Sequence, residues 1–306
     1  MASQNKLIQA VENPCKIIKH LGGKGYFKWI PDELYLKICY RAVFGKCLNL
    51  NNPRTFNEKL QWLKLYDRNP AYTIMADKAE VKKYVAEKIG QEYIIPTIGV
   101  WDRFEDIDFK KLPDKFVLKC THDSGGLIIC KNKAKLDLDA AKEKIEKCLK
   151  RDFFYVGREW AYKNVKPRII AETLMEEDAA GELLDYKMMC FNGRVKCSFV
   201  CSQRHTANGV RVNFYDTDWK EMPFERHYPR SKKIIDRPVS YDSMIQLAQK
   251  LSVEIPFVRV DFYEIKGKPY FGELTFYPGN GFEEFVPDQY DLILGEWIKL
   301  PGGGNS

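Results

Sequence analysis

Arg259-Val260-Asp261 and Glu273-Leu274-Thr275 are the strings in this 306-residue chain whose side chains most directly suggest a chemistry. Each spaces its polar residues two apart, the period at which a β-strand returns to the same face. Lys266-Gly267 lies between them as a hairpin turn. Folding back there places Arg259, Asp261, Glu273 and Thr275 together, as a guanidinium, two carboxylates and a hydroxyl. Hard oxygen ligands of this kind suit Mg²⁺ bridging nucleotide phosphates. An adjacent arginine could neutralise charge on a transferred phosphoryl group. Taken alone, the spacing fits equally well an ordinary hairpin with its polar face turned to water.

A second cluster lies upstream. Lys119 ends the apolar run Phe116-Val117-Leu118 and precedes a polar loop from Thr121 to Gly126. An ammonium and the backbone amides of Ser124, Gly125 and Gly126 could face a polyphosphate. A protein kinase is excluded, because its glycine loop precedes the strand lysine and it carries a His-Arg-Asp loop that is absent here. His122 within the loop is expected to face solvent. The run Arg158 to Lys163 mixes cations with aromatics, so Arg158 and Tyr162 could stack and pair with an acidic sugar. It could also be a nucleic-acid patch, but acidic residues intervene and no nucleic-acid module is present. Arg204 and His205, after a strand, could touch an acidic substrate or simply occupy a surface loop. Gly279 and Asn280 could form a backbone nest for a substrate carboxylate.

The elements that must hold these residues can be read from periodicity. Leu34, Ile38 and Ala42 recur at intervals of four in a helix from Leu34 to Phe44 that Pro31 opens. Thr55 and Glu58 form a capping box for the next helix, which Asn69-Pro70 ends. Further helices are expected at 77–89, 139–151, 241–251 and 290–300. Strands are expected at 93–101, 116–119, 127–130, 168–174, 184–192, 195–202, 210–215, 256–265 and 269–276, with Asn192-Gly193 as a second hairpin turn. Strands and helices segregate, which defines an α+β class. The expected organisation is a helical cap over 1–72, a unit over 73–178, a unit with the metal site over 179–300, and a disordered tail over 301–306.

Composition narrows the rest. The chain is 45% hydrophobic and 30% charged, which excludes disordered and fibrous classes, and its net charge of +7 suits an anionic partner without requiring one. Nine cysteines, an odd number at irregular spacing with no Cys-x-x-Cys, signal no zinc or thioredoxin-type site. Cys197 and Cys201 are explained as small core residues of a strand. The polar start from Met1 to Pro14 lacks the apolar core of a secretory signal, and no apolar run is long enough to span a membrane. A reduced, cytoplasmic protein is the expectation.

In order, Asp77-Lys78, Phe116 to Lys119 with its glycine loop, Ile169 to Glu172, Asp185-Tyr186-Lys187, Arg259-x-Asp261 and Glu273-x-Thr275 resemble an ATP-grasp ligase. The resemblance is closer to the TupA-like branch, named for teichuronopeptide synthesis. It is carried by Arg54 to Arg68, Ala76 to Lys78, Arg158 to Tyr162, Lys166 to Arg168 and Gly272 to Gly279, and covers about Pro31 to Leu300. It implies two antiparallel sheets clamping ATP. Lys78, Lys119 and the loop through Gly126 would meet phosphates, and Glu172 and Leu174 the adenine. Asp185 and Lys187 would lie near ribose and phosphates. Asp261 and Glu273 would hold Mg²⁺, and Arg259 would steady an acyl phosphate. Thr275 stands where the more familiar ligases have Asn, a better magnesium ligand, which leaves open action through water or one firmly bound ion.

The activity implied is an ATP- and Mg²⁺-dependent carboxylate–amine ligation. In the TupA-like branch it would join a uronic acid of a surface polysaccharide to an amino acid or small amine. A glycosyltransferase is the alternative enzyme, for which Asp106/Asp108, Asp137/Asp139 and Asp216/Asp218 supply acidic triplets. The third reading is a grasp protein that binds nucleotide without turnover, against which Lys119, Arg259, Asp261 and Glu273 argue.

Overall fold

Alternating burial along the strands builds two sheets in a computed structural model that describes residues 21–22, 24–175, 183–203 and 209–302. The described chain begins with α1 (Asp32–Phe44), α2 (Phe56–Tyr66), α3 (Ala71–Ala76) and α4 (Val81–Ile89). Then come β1 (Thr97–Trp101), β2 (Phe116–Cys120), β3 (Leu127–Cys130), α5 (Leu138–Leu149), the single turn α6 (Phe154–Gly157) and β4 (Ile169–Thr173). The second half runs through β5 (Asp185–Phe191), β6 (Arg194–Ser202), β7 (Arg211–Tyr215), β8 (Glu225–Arg226) and α7 (Tyr241–Leu251). It ends with β9 (Phe257–Ile265), β10 (Lys268–Thr275), β11 (Phe285–Val286) and α8 (Gln289–Trp297).

One sheet has the order β1-β4-β2-β3 and the other β10-β9-β5-β6-β7, every pairing antiparallel, while β8 and β11 form a short ribbon. The α+β class read from the sequence is the class observed. Both hairpin turns take left-handed conformations at both centres, with φ of 48° and 76° at Asn192-Gly193 and 53° and 74° at Lys266-Gly267. That geometry matches the twist of the flanking strands.

The period of two assigns each sheet face. Phe116, Leu118, Cys120, Ile169 and Ala171 pack with Ala141 and Ile145 of α5. Their strand neighbours Lys119 and Glu172 therefore point the other way. Likewise Met188, Cys190, Val258 and Val260 pack with Met244, Leu247, Ala248 and Leu251 of α7. That leaves Asp185, Lys187, Arg259 and Asp261 on the opposite face. The polar faces of the two sheets line the same cleft.

The capping box at α2 is formed: Glu58 N donates to Thr55 Oγ1 (3.2 Å) and Thr55 N to Glu58 Oε2 (3.1 Å). The helix is no detached cap, because Phe56, Leu60 and Leu63 lie in the core of the five-stranded sheet. The Phe56 ring stands edge-on to Phe257 at 4.9 Å. Packing therefore crosses the boundary expected at residues 72 and 73. In α1 the series of four marks the helix but not its buried side. Leu34 and Ile38 are 51% and 42% exposed, while Tyr35, Leu36, Cys39 and Tyr40 are buried. The helix is apolar on two sides, and the side with two tyrosines has more area to remove from water.

The helix expected from Asp77 starts only at Val81, because Asp77 Oδ1 accepts from Ala79 N (2.8 Å) and Glu80 N (3.2 Å) and holds a turn there. The strand expected from Tyr93 starts at Thr97, after a 3₁₀ turn over Gln91–Tyr93 and after Pro96. The eight described cysteines are free thiols. Among the described residues no helix is long and apolar enough to cross a membrane. Of the tail over 301–306, residues 303–306 lie outside the described ones.

Candidate active site

Strand register aligns Lys187 on β5, Asp261 on β9 and Glu273 on β10 in one row, with Arg259 opposite Thr275 one step along. A bulge at Gly272 shifts β10 between Phe271 and Glu273 and brings Glu273 opposite Asp261. A side chain there would stand 3.2 Å from the Asp261 carbonyl, so glycine suits the close approach.

The guanidinium of Arg259 grips both carboxylates. Nε donates to Asp261 Oδ1 (2.6 Å), and Nη2 donates to Asp261 Oδ2 (2.7 Å), Glu273 Oε1 (2.7 Å) and Thr275 Oγ1 (3.0 Å). Thr275 Oγ1 in turn donates to Glu273 Oε1 (3.0 Å). Lys187 bridges Asp185 Oδ2 (2.7 Å) and Asp261 Oδ2. Two cations thus stand among three carboxylates. Burial and Arg259 push the Lys187 ammonium down, but Asp185, Asp261 and Glu273 together outweigh them and raise its pKa. Burial pushes the Glu273 carboxyl up, yet Arg259, Lys187 and Lys78 hold it down to about 2.

A pH dependence follows. A carboxyl depressed in the folded state stabilises it fully above its ordinary value of 4.5, and that stability is lost as the pH falls towards about 2. Glu172 acts with the same sign, its pKa lowered because Lys119 and Lys82 outweigh burial. Acid titration followed by tryptophan fluorescence should show the native state weakening across this window. The loss should be shallower in Glu273→Gln.

The facing wall is built from the four-stranded sheet and α4. Glu172 Oε1 pairs with Lys82 Nζ (2.6 Å) and Oε2 with Lys119 Nζ (2.5 Å). Lys78 Nζ donates to the Asp123 carbonyl, and burial lowers its pKa. Between the walls lies a cleft of about 260 Å³. Lys78, Lys82, Lys119, Ser124, Gly126 and Glu172 line one side; Asp185, Lys187, Asp261 and Glu273 line the other. Lys82 is the residue that sequence reasoning missed. Its partner Glu172 lies on a distant strand, so no local spacing announces it.

Several expectations are corrected. The amides of Gly125 and Gly126 donate to Asp123 Oδ1 (3.1 and 3.0 Å), so the loop closes on its own side chain instead of presenting those amides. Gly126 is required by space, since an added Cβ would lie 2.5 Å from Cys120 Sγ. His122 is buried, its Nε2 within 3.1 Å of the Cys148 and Arg151 carbonyls, and it ties the loop to the end of α5. Leu174 is half-buried just past β4 and does not line the cleft. Arg204 and His205 lie outside the described residues.

Arg158 is 1% exposed and no sugar ligand. Its guanidinium stacks on Tyr35 and Tyr155, each at 4.6 Å, and Nη2 donates to the Phe27 carbonyl (2.6 Å). Its Nε also lies 3.4 Å from Asp32 Oδ1, so Arg158→Ala should destabilise the fold by about 3 kcal/mol, a typical cost of breaking a buried ion pair. Denaturant melts should show this without a change in nucleotide affinity of the folded fraction. Tyr162 is different: it is half-buried, and burial with Glu159 and Glu273 raises its phenol pKa while Arg259 opposes.

At Gly279-Asn280-Gly281 the backbone is left-handed throughout (φ near 60°), without the alternation of right- and left-handed residues that makes a nest. Asn280 N donates to the Tyr277 carbonyl (2.8 Å), and the Asn280 carbonyl accepts from the buried Lys64 Nζ (2.7 Å). The bend is pinned by Lys64 and by Arg226, whose Nη2 donates to the Pro278 carbonyl (2.9 Å), and the Asn280 amide is not available to a substrate carboxylate.

The acidic triplets serve turns. Asp106 pairs with Arg103 and Asp108 with Lys111, Asp137 caps α5, and Asp216 Oδ1 accepts from Asp218 N and Lys220 N. None lines the cleft.

Two antiparallel sheets presenting lysines on one wall of a cleft and carboxylates on the other give the class a structural outline. The sequence profile of the TupA-like ATPgrasp family matches residues 58–299, and the chain belongs to that family. Solved structures include the D-alanine–D-alanine ligase of Bacillus anthracis complexed with ATP, 15% identical, matched over 66% of this chain and 55% of that one with a TM-score of 0.38. The D-alanine–D-alanine ligase of Helicobacter pylori is 13% identical, over 83% of this chain and 69% of that one, with a TM-score of 0.41. D-Cycloserine synthetase is 14% identical, over 75% and 72%, with a TM-score of 0.38. The chain covers 55% to 60% of the first ligases it matches. No curated protein matches it in sequence.

Proposed function

We propose that the protein is an ATP- and Mg²⁺-dependent carboxylate–amine ligase that joins a uronic acid of a surface polysaccharide to an amino acid or small amine. The observation that supports this best is the row of Lys187, Asp261 and Glu273, clamped by Arg259 and facing Lys78 and Lys119 across one cleft. In this reading 73–178 acts as the lid and 179–300 as the base of the clamp. Lys78 and Lys119 hold ATP phosphates, Glu172 holds the adenine edge, and Asp185 lies near the ribose.

The donor set fits a magnesium ion. Asp261 and Glu273 face each other in register and offer hard oxygens, and Mg²⁺ is commonly held by one or two carboxylates plus phosphate oxygens. When bound, the ion supplies charge neutralisation between the phosphates. The chain's own residues do the remaining work. Arg259 stabilises charge on the transferred group, and Lys119 holds the phosphate it leaves from. A substrate carboxylate oxygen attacks the γ-phosphorus, the bond to ADP breaks, and an acyl phosphate forms. The amine nitrogen then bonds to the acyl carbon, phosphate departs, and the nitrogen loses one proton.

The test is to incubate protein with ATP, Mg²⁺, a uronic-acid glycoside and a panel of amines, reading ADP, phosphate and product mass. ADP and phosphate formation dependent on both co-substrates supports ligation. Consumption of a sugar nucleotide without ATP use would overturn it.

A further inference from the structure

We propose that Arg259 and Lys187 gate the divalent cation: they occupy the carboxylate oxygens a metal needs, so metal enters only with a polyphosphate that draws them away. This rests on the reading of Asp261 and Glu273 as metal ligands.

The partners of each oxygen carry the inference. Asp261 Oδ1 accepts from Arg259 Nε, and Oδ2 accepts from Arg259 Nη2 and Lys187 Nζ. Glu273 Oε1 accepts from Arg259 Nη2 and Thr275 Oγ1. Among the described residues, Glu273 Oε2 is the oxygen of these two carboxylates with no such donor. Nor do any described His, Cys, Asp or Glu residues form a group of three that could hold a metal. A divalent cation here would also stand beside a guanidinium and an ammonium in a largely buried setting, where like charges repel strongly.

Both blocking cations have a second partner in place. Lys187 keeps Asp185 Oδ2 (2.7 Å) if it releases Asp261. Arg259 keeps the Thr275 hydroxyl (3.0 Å) and lies 5.8 Å from the Phe199 ring. An incoming polyphosphate offers each a stronger anion, and their departure bares Asp261 and Glu273 together. Thr275 then has a role distinct from ligation. Its oxygen accepts from Arg259 and its proton goes to Glu273, so it is a positioning residue that couples the two.

The test is a Mn²⁺ titration of the full chain without nucleotide, following the paramagnetic resonance of the free ion. Arg259→Gln should bind Mn²⁺ roughly 100-fold more tightly than wild type, at the upper end of usual coupling between sites. Arg259→Lys, which keeps the charge, should stay close to wild type. Equal Mn²⁺ binding by wild type and Arg259→Gln, whether tight or absent, overturns the gate. Should Arg259→Gln fail to fold, wild type alone decides: Mn²⁺ binding without nucleotide as tight as with it overturns the gate, and weak binding that nucleotide strengthens supports it. Separately, the affinity of wild type for a non-hydrolysable ATP analogue is measured with Mn²⁺ and in a chelator. Equal values would show that Asp261 and Glu273 are not metal ligands, which removes the underlying reading and the gate with it.

Discussion

Glu273→Gln should abolish ATP turnover while leaving the fold intact. The side chain of Glu273 is 40% exposed, and an amide oxygen can still accept from Arg259 Nη2 and Thr275 Oγ1. The packing and most of the hydrogen bonding therefore survive. The negative charge does not, and with it goes the oxygen pair that would hold a metal against the phosphates. Removing one preorganised electrostatic partner typically costs about 3–4 kcal/mol in the transition state, or roughly 10²–10³ in rate. ADP release measured beside a thermal melt separates the two effects. Undiminished ADP release in the variant would refute the metal assignment.

Why this site could be anticipated, and its neighbours could not, comes down to which interactions are local. The two-residue period and the Lys266-Gly267 turn suffice to bring Arg259, Asp261, Glu273 and Thr275 onto one face, and the pairing of β9 with β10 places them there. The capping box at Thr55 and Glu58 is equally local. Arg158 shows the limit: cations interleaved with aromatics look the same whether they meet solvent or a core. What buries Arg158 is Tyr35, more than a hundred residues away in sequence. The loop glycines show another limit. Asp123 sits two and three residues before amides it can satisfy itself, a local competition that a glycine-rich string does not advertise. Lys82 was hidden because its partner Glu172 lies on a distant strand. The apolar side of α1 was hidden because Leu34 and Ile38 have the right period, while the larger Tyr35 and Tyr40 hold the core.

Asp261→Asn should behave in the opposite way to the Glu273 variant and fail first in stability. Asp261 is 2% exposed, and both Arg259 and Lys187 touch it. An asparagine has a single acceptor oxygen where the aspartate met Nε and Nη2 of the arginine and the ammonium of the lysine. Its amide nitrogen would point a donor at one of those donors. Two cations would then share Asp185 and Glu273, in surroundings where an unmatched charge is costly. Breaking a buried ion pair by removing one partner typically costs about 3–5 kcal/mol. Urea denaturation should show a lower midpoint with an unchanged slope, the mark of altered stability alone. The double variant Asp261→Asn with Arg259→Gln should lose less than the sum of the single losses, because it removes the stranded guanidinium along with its partner. A single variant as stable as wild type would mean that the cluster does not depend on charge. The clamp that Arg259 forms over the two carboxylates would then carry no weight in holding β9 and β10 in register.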